Sequence, residues 1–257
     1  MNDLSRRLVT LVAAIATIVV NMAAVLLPLN GLTTKELADR YQVYFVPAGY
    51  VFSIWSLIYL LLVVFAVWQL LPAQRGDRRT SGIAPLFWLS CLANTTWIFL
   101  WHFEQVPASL VAMVVLLGSL IAIYMKLDVG RADPGRSQRW AVNAVFSVYL
   151  GWITVATIAN ATTVLDYVGW SGWGIAPETW TAIMLTVAVV LAGISAATRR
   201  DVLYLLVLVW AFAGIAVKFP DVAFVARAAW LATTAVALLA LWSLWRNHAD
   251  GRPLLPA

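Results

Sequence analysis

Residues 140–165 read WAVNAVFSVYLGWITVATIANATTVL, an apolar stretch without a charged side chain. A transmembrane helix needs about 20 mostly apolar residues, so this stretch is long enough to cross a membrane. Polar and aromatic residues recur in it at helical spacing and share one face, namely Tyr149, Trp152, Ala156 and Asn160. The stretch therefore predicts a membrane-crossing helix with a polar, aromatic face turned towards other helices.

The composition of the whole chain agrees with a membrane protein. Of 257 residues, 63% are hydrophobic and 11% are charged, against roughly 25% charged in soluble domains. The mean hydropathy is +0.86. We therefore expect an all-α, polytopic membrane helix bundle of about eight transmembrane helices, near residues 8–29, 48–71, 83–102, 106–127, 140–165, 179–198, 201–218 and 222–245.

The basic residues predict the orientation of this bundle. With the N-terminus inside, four of them lie outside, namely Lys35, Arg40, Lys218 and Arg227. Thirteen lie on the cytoplasmic side: Arg6, Arg7, Arg75, Arg78, Arg79, Lys126, Arg131, Arg136, Arg139, Arg199, Arg200, Arg246 and Arg252. This bias predicts cytoplasmic N- and C-termini in a multi-pass protein of the bacterial inner (cytoplasmic) membrane. Clusters that orient the chain explain its net charge of +5, so we expect membrane lipid and no nucleic acid as partner.

Several chemistries lack the residues that they need. Cys91 is the single cysteine, and the two histidines, His102 and His248, are far apart, so no metal site is predicted. No phosphate-binding glycine motif is present. No acidic residue falls at the centre of a predicted span, which argues against an ion-coupled transporter.

Two more predicted spans carry a polar, aromatic face like that of residues 140–165. The second span has Phe52, Trp55 and Tyr59 at i, i+3 and i+7, and the third has Asn94, Trp97 and Trp101. An asparagine in hydrocarbon needs a hydrogen-bond partner, so these faces should meet other helices or a cavity. Such a cavity would suit a flat, mostly apolar ligand. Aromatic packing between helices is the alternative, and the spacing alone leaves both open.

Isolated polar residues have simpler interpretations. Asn21 is the only asparagine of the first span and is interpreted as a tie between helices. His102, at the end of the third span, is interpreted as an interfacial histidine whose hydrogen bonds are satisfied. In the loop at 30–46, Thr34 before Glu36 predicts the N-cap of a short surface helix.

The same segments resemble the tryptophan-rich sensory protein, or translocator protein, family (TspO/MBR). Its second helix opens with Pro-Pro-x-Trp-x-Phe-Gly-x-x-Trp-Thr-x-x-Tyr, and residues 47–59 read PAGYVFSIWSLIY. Its third helix has Leu-Asn-x-x-Trp, matched by ANTTW at 93–97, and its fifth has Pro-Tyr-x-x-Trp, matched by VYLGW at 148–152 before Asn160. Departures from these motifs are a residue missing between Phe52 and Trp55 and the substituted positions Ala48, Tyr50 and Val148.

The resemblance implies a TspO-like five-helix core over 1–165 that binds porphyrins or similar flat ligands. Residues 166–257 would add three transmembrane helices and a short cytoplasmic tail, so the chain would belong to a longer, eight-helix branch of the family. The loop at 30–46 would close the pocket, with Tyr41 and Tyr44 as lids. No cofactor is required, and a bound tetrapyrrole is the expected ligand. With the two faces above, the resemblance gives ten candidate ligand-binding residues: Tyr50, Phe52, Trp55, Tyr59, Asn94, Trp97, Trp101, Tyr149, Trp152 and Asn160.

Three functions remain open on these grounds. The first is a sensor or carrier that binds a flat hydrophobic ligand. The second is a light-dependent porphyrin-degrading enzyme, with Trp55 or Trp152 near the ligand. The third is a structural or assembly protein, homodimeric or bound to a membrane protein partner, whose last helices pack through small residues such as Ala192, Ser195 and Ala196.

Overall fold

The protein is a bundle of helices in a computed structural model that describes residues 2–27, 29–41 and 43–251. Its helices are α1 Asp3–Leu26, α2 Thr34–Asp39, α3 Ile54–Trp68, α4 Arg78–His102, α5 Val106–Lys126, α6 Arg136–Gln138, α7 Ala144–Tyr167, α8 Pro177–Thr198, α9 Val202–Lys218 and α10 Ala223–Ala249. The 3-10 turn Gly49–Ser53 leads into α3, and the π-helical turn Arg139–Asn143 leads into α7. Residues 28 and 42, which fall in the predicted first span and cap, and Arg252, predicted to be cytoplasmic, lie outside the described residues.

The bundle confirms the prediction of a polytopic, all-α membrane protein. Seven helices of the described chain are long and apolar enough to cross a membrane, and α9 is shorter, with 17 residues. The ends of α9 nevertheless reach both ends of the bundle. Asp201, at its start, accepts a hydrogen bond from Tyr124 near the end of α5 (2.8 Å), and Lys218, at its end, pairs with Asp39 in α2 (2.6 Å). The side of the membrane on which each end lies stays a prediction.

Local sequence explains where the helices begin. The side chains of Asn2, Asp77 and Asp201 accept backbone N–H groups in the first turns of α1, α4 and α9. The cap of α2 corrects the prediction by one residue: it is Thr33, not Thr34. Thr33 and Glu36 form a reciprocal capping box, in which the Glu36 carboxylate accepts the Thr33 backbone N–H at 2.7 Å.

Helix α7 is the centre of the bundle. It packs against α3, α5 and α9, and every residue from Ala144 to Val155 is buried. The absence of charged residues in this segment follows from its position, because burying an unpaired ionised side chain away from water costs much free energy. Gly151 allows α9 to come close, since a Cβ at this position would lie 3.0 Å from the Cβ of Val207.

Helix α9, the middle one of the last three helices, contacts the segment that leads into α3. The backbone N–H of Ala48 donates to the carbonyl of Gly214 at 3.0 Å, and the indole N–H of Trp210 donates to the carbonyl of Val51 at 3.2 Å. These contacts cross the predicted boundary at residue 165, and the division into two parts stays a prediction. Ala192 and Ala196 of α8 are fully buried within the chain, where α8 packs mainly against α10, so their small size serves internal packing.

We expect Gly214→Ala to destabilise the protein. A Cβ at Gly214 would lie 2.2 Å from Cγ2 of the buried Val51 and 3.1 Å from Cβ of Pro47, and forced overpacking costs about 1–3 kcal/mol. Thermal unfolding in one detergent should show a lower Tm for this variant.

Gly118→Ala is the matched control, because Gly118 is also helical and nothing lies within 4 Å of a Cβ there. Alanine favours a helix over glycine by about 1 kcal/mol, so the control should equal or exceed the wild-type Tm. Equal effects of the two substitutions would contradict the close approach of α9 to α3.

Candidate functional site

A relay of buried amides ties α1, α4 and α7 together. Asn21 donates from Nδ2 to Oδ1 of Asn94 at 2.6 Å, and Asn94 donates from Nδ2 to the hydroxyl of Tyr149 at 2.9 Å. Asn21 also donates to the carbonyl of Thr17, one turn earlier in α1. Asn94 is completely buried, and both ends of its amide have partners, as hydrocarbon surroundings require. The interpretation of Asn21 as a helix tie is confirmed.

A second polar contact lies nearer the cap end of the bundle. Asn160 of α7 accepts a hydrogen bond from the indole N–H of Trp97 in α4 at 3.2 Å. Its Nδ2 donates to the hydroxyl of Ser109 in α5 at 3.0 Å, and Ser109 donates to the carbonyl of Val106. The striped faces of α4 and α7 therefore meet, with α5 closing the back of the contact.

A cavity lies between α3, α4, α7 and the loop after α1. Phe52 of the 3-10 turn and Trp55 of α3 contact Trp152 edge to face, with ring centroids 5.8 and 6.2 Å from that of Trp152. Trp97 stacks on Trp101 at 5.8 Å. Aromatic rings and small apolar groups make up most of the lining: Thr34, Ala38, Val46, Pro47, Phe52, Trp55, Trp97, Trp101, Trp152, Val155, Ala156, Ala159, Asn160 and Thr163.

The cavity lies under the loop and has a small free volume. It holds about 50 Å³, which is room for one or two water molecules. Trp152 is 2% exposed, and its indole N–H has no hydrogen-bond partner among the described residues. A buried donor without a partner is costly. An acceptor that entered the cavity beside Trp152 would therefore be bound favourably.

The loop that covers the cavity is attached to the end of α4. The indole N–H of Trp101 donates to the carbonyl of Thr34 at 3.3 Å. The ring of His102 bridges two loop groups: Nδ1 lies 3.3 Å from the carbonyl of Leu29, and Nε2 lies 2.9 Å from the hydroxyl of Thr34. A carbonyl only accepts, so Nδ1 carries the proton and Nε2 accepts from Thr34. His102 is thus a satisfied histidine, as interpreted from the sequence.

The ten predicted residues fall into three groups. Nine are in or beneath the cavity: six line it, and Tyr59, Asn94 and Tyr149 lie below it, where Tyr59 stacks on Trp55 at 5.6 Å and Tyr149 meets Trp55 edge to face at 6.2 Å. Tyr50 lies apart, 48% exposed, with its ring against Trp210 of α9 at 5.2 Å.

The two predicted lid residues are separated. Tyr41 lies beside Trp101, with ring centroids 6.2 Å apart, and burial together with the nearby Glu104 carboxylate raises its pKa. Tyr44 packs instead on Phe219 and lines a different cavity. Lining residues that the spacing argument missed include Ala38 and Val46 of the loop, because loop residues carry no periodic signal.

Fold and site together define a class, a polytopic helical membrane protein with an aromatic cavity among its first five spans. A family described as TSPO-like protein matches residues 7–242. The chain belongs to this TSPO-like protein family. The match runs through the first five spans, three of which carry the motifs, and on through α8 and α9 into α10. No curated protein and no solved structure matches the chain.

We expect Asn94→Leu to destabilise the protein by about 1–3 kcal/mol, because it removes the acceptor of Asn21 and the donor to Tyr149 within the buried relay. Thermal unfolding in detergent should report a lower Tm. A double variant with Asn21→Leu should lose less than the sum of the two single variants, because the two amides bond to each other.

Leu92→Ala is the control for helix α4. Leu92 is 65% exposed on the outer face of the bundle, so its truncation should leave the Tm nearly unchanged. Additive losses in the Asn21 and Asn94 double variant would show that the relay does not couple the helices.

Proposed function

We propose that this protein binds a flat, mostly apolar ligand of the porphyrin type in the cavity between α3, α4 and α7, and that it acts as a membrane sensor or carrier of that ligand. The observation that carries the proposal is the lining of that cavity, which is made largely of aromatic rings and includes Trp152, whose buried indole N–H has no partner among the described residues. Aromatic faces stack on a planar ligand, and the indole donates to a polar edge of it.

The chemistry of the lining favours binding over catalysis. None of its described residues carries a carboxylate, an amine, an imidazole or a thiol. General acid–base or nucleophilic catalysis needs such groups within reach of the ligand. The polar groups that remain are the indole N–H groups of four tryptophans, the amide of Asn160 and two threonine hydroxyls, which orient a ligand without transferring protons at neutral pH.

Entry of a large ligand requires the loop to move. Pockets for drug-sized ligands measure roughly 300–1,000 Å³, far above the present 50 Å³. Four lining residues belong to the loop or the turn after it, Thr34, Ala38, Val46 and Pro47. The contacts of Trp101 and His102 with the loop are few and involve no buried ion pair. The loop is therefore the element that we propose opens during binding.

Filling the cavity should weaken binding without removing any polar group. We expect Ala156→Leu to weaken protoporphyrin binding at least roughly tenfold, since its added methylenes occupy the space between the rings. Trp97→Ala should weaken it as well, through the loss of a stacking face. The measurement is a titration of the purified protein in detergent, followed by tryptophan quenching and the Soret shift.

Ala197→Leu on the exposed face of α8 is the matched control and should bind as the wild type does. Affinity that stays unchanged in both cavity variants would remove this pocket from the proposal. Illumination of the complex separates the binder from the light-dependent enzyme: a plain sensor or carrier keeps its Soret band, whereas an enzyme loses it in a manner that depends on Trp55 or Trp152.

A further inference from the structure

A second and larger cavity opens at the same end of the bundle. Its volume is about 250 Å³, five times that of the smaller cavity. It lies between the end of the covering loop, the end of α7, the connection 168–176 and the start of α8. It is lined by Val43, Tyr44, Phe45, Thr162, Leu165, Asp166, Trp170, Ser171, Gly172, Ile175, Pro177, Trp180, Thr181 and Met184.

Four aromatic residues belong to the lining of this cavity, Tyr44, Phe45, Trp170 and Trp180. Trp170 and Trp180 meet at an angle of 53° with their centroids 5.1 Å apart, and Tyr44 lies on the covering loop. Trp173 closes the cluster behind them, 5.3 Å from Trp170 and 5.9 Å from Trp180. Two indole planes at this angle make a corner whose faces, rich in π-electron density, attract a cation.

The orientation of Trp180 is fixed by the connection itself. Its indole N–H donates to the carbonyl of Gly172 at 2.9 Å, so its only hydrogen-bond donor is already used. A Cβ at Gly172 would lie 3.1 Å from this nitrogen, and Gly172 also has a φ of +63°. Glycine is therefore the residue that lets the connection hold the ring. What Trp180 offers a ligand is its ring surface.

Carboxylates add negative charge beside these rings. Asp166 belongs to the lining, and the Glu178 carboxylate lies close to the hydroxyl of Tyr44. Among the described side chains neither carboxylate has a basic partner. Two described cations of the covering loop and the end of α9 are already paired, Lys218 with Asp39 at 2.6 Å and Arg40 with Glu104 at 2.9 Å. The cavity thus combines aromatic faces with carboxylates and has no cation in its lining.

We propose that this second cavity binds a small alkylated ammonium cation. Rings and carboxylates both attract positive charge, and the apolar side chains of Leu165, Ile175 and Met184 suit methyl groups better than the strongly hydrated ammonium of a lysine. A volume just under the range for drug-sized ligands fits a group of this size. The carboxylates repel the propionates of a porphyrin, so the two cavities take different ligands.

The test compares choline with its uncharged carbon analogue, 3,3-dimethyl-1-butanol, which has the same shape without the charge. Calorimetric titrations use the full chain in a maltoside detergent, because detergents with quaternary ammonium headgroups would compete. Choline should bind saturably, and the alcohol should bind at least roughly tenfold more weakly. Absence of saturation with choline, or equal binding of the two compounds, would overturn the proposal.

Two variants locate the site. Trp180→Ala should weaken choline binding at least roughly tenfold by removing one ring face. Asp166→Asn should weaken it about threefold or more by removing one charge. Asp166 is exposed, so Asp166→Asn should leave folding unchanged. This variant therefore remains informative if Trp180→Ala does not fold. Asp221→Asn, at the same end of the bundle but outside the lining, is the control and should bind as the wild type does. Unchanged affinity in Asp166→Asn would argue against the site.

A trimethylammonium group has two sources in a membrane, a free solute and a phosphatidylcholine headgroup. Vesicles of phosphatidylglycerol alone and vesicles with phosphatidylcholine added distinguish them. A lower apparent affinity for choline in the mixed vesicles identifies the lipid headgroup as an occupant. Equal affinity in both identifies a free cation, and either result supports the proposed chemistry.

Discussion

The amide of Asn94 is the interaction on which the arrangement of this bundle depends. Hydrocarbon offers no water to a polar side chain, so its hydrogen bonds must be made inside the protein. Asn94 accepts from α1 and donates to α7, which fixes both helices against α4 in position and in rotation. Once α4 and α7 are held in this register, Trp97 reaches Asn160, and the rings of Trp55 and Trp152 close the cavity above the relay.

The helices and the face of each striped helix could be predicted because both follow from local rules. The spans are set by apolar length, and Asn94 and Asn160 had to face inwards to find partners. Tyr50 shows the limit of the motif: it lies against Trp210 of α9, a contact with no signal in the sequence of either segment. The second cavity has no signal in the sequence for the same reason, because only the folded connection brings Trp180 against Trp170.

The loop after α1 is a wall shared by the two cavities. Tyr44 and Phe45 line the larger cavity, and the next two residues, Val46 and Pro47, line the smaller one. On α7, Thr162 faces the larger cavity and Thr163 the smaller one. A displacement of the loop that admits a ligand to one cavity therefore also changes the wall of the other. The two volumes are distinct spaces with a common boundary.

The contact of α9 with the start of α3 can form only late in synthesis of the chain. Trp210 and Val51 are separated by 159 residues, and ribosomes add about 5–20 residues each second. The hydrogen-bond partners of the Val51 carbonyl and the Ala48 amide, which belong to α9, are thus synthesised on the order of ten seconds after these two groups. Pro47, which lines the smaller cavity, lies against Gly214 at this junction. This part of the cavity wall is consequently completed only after α9 has been synthesised, so the first five spans are made before their pocket is complete.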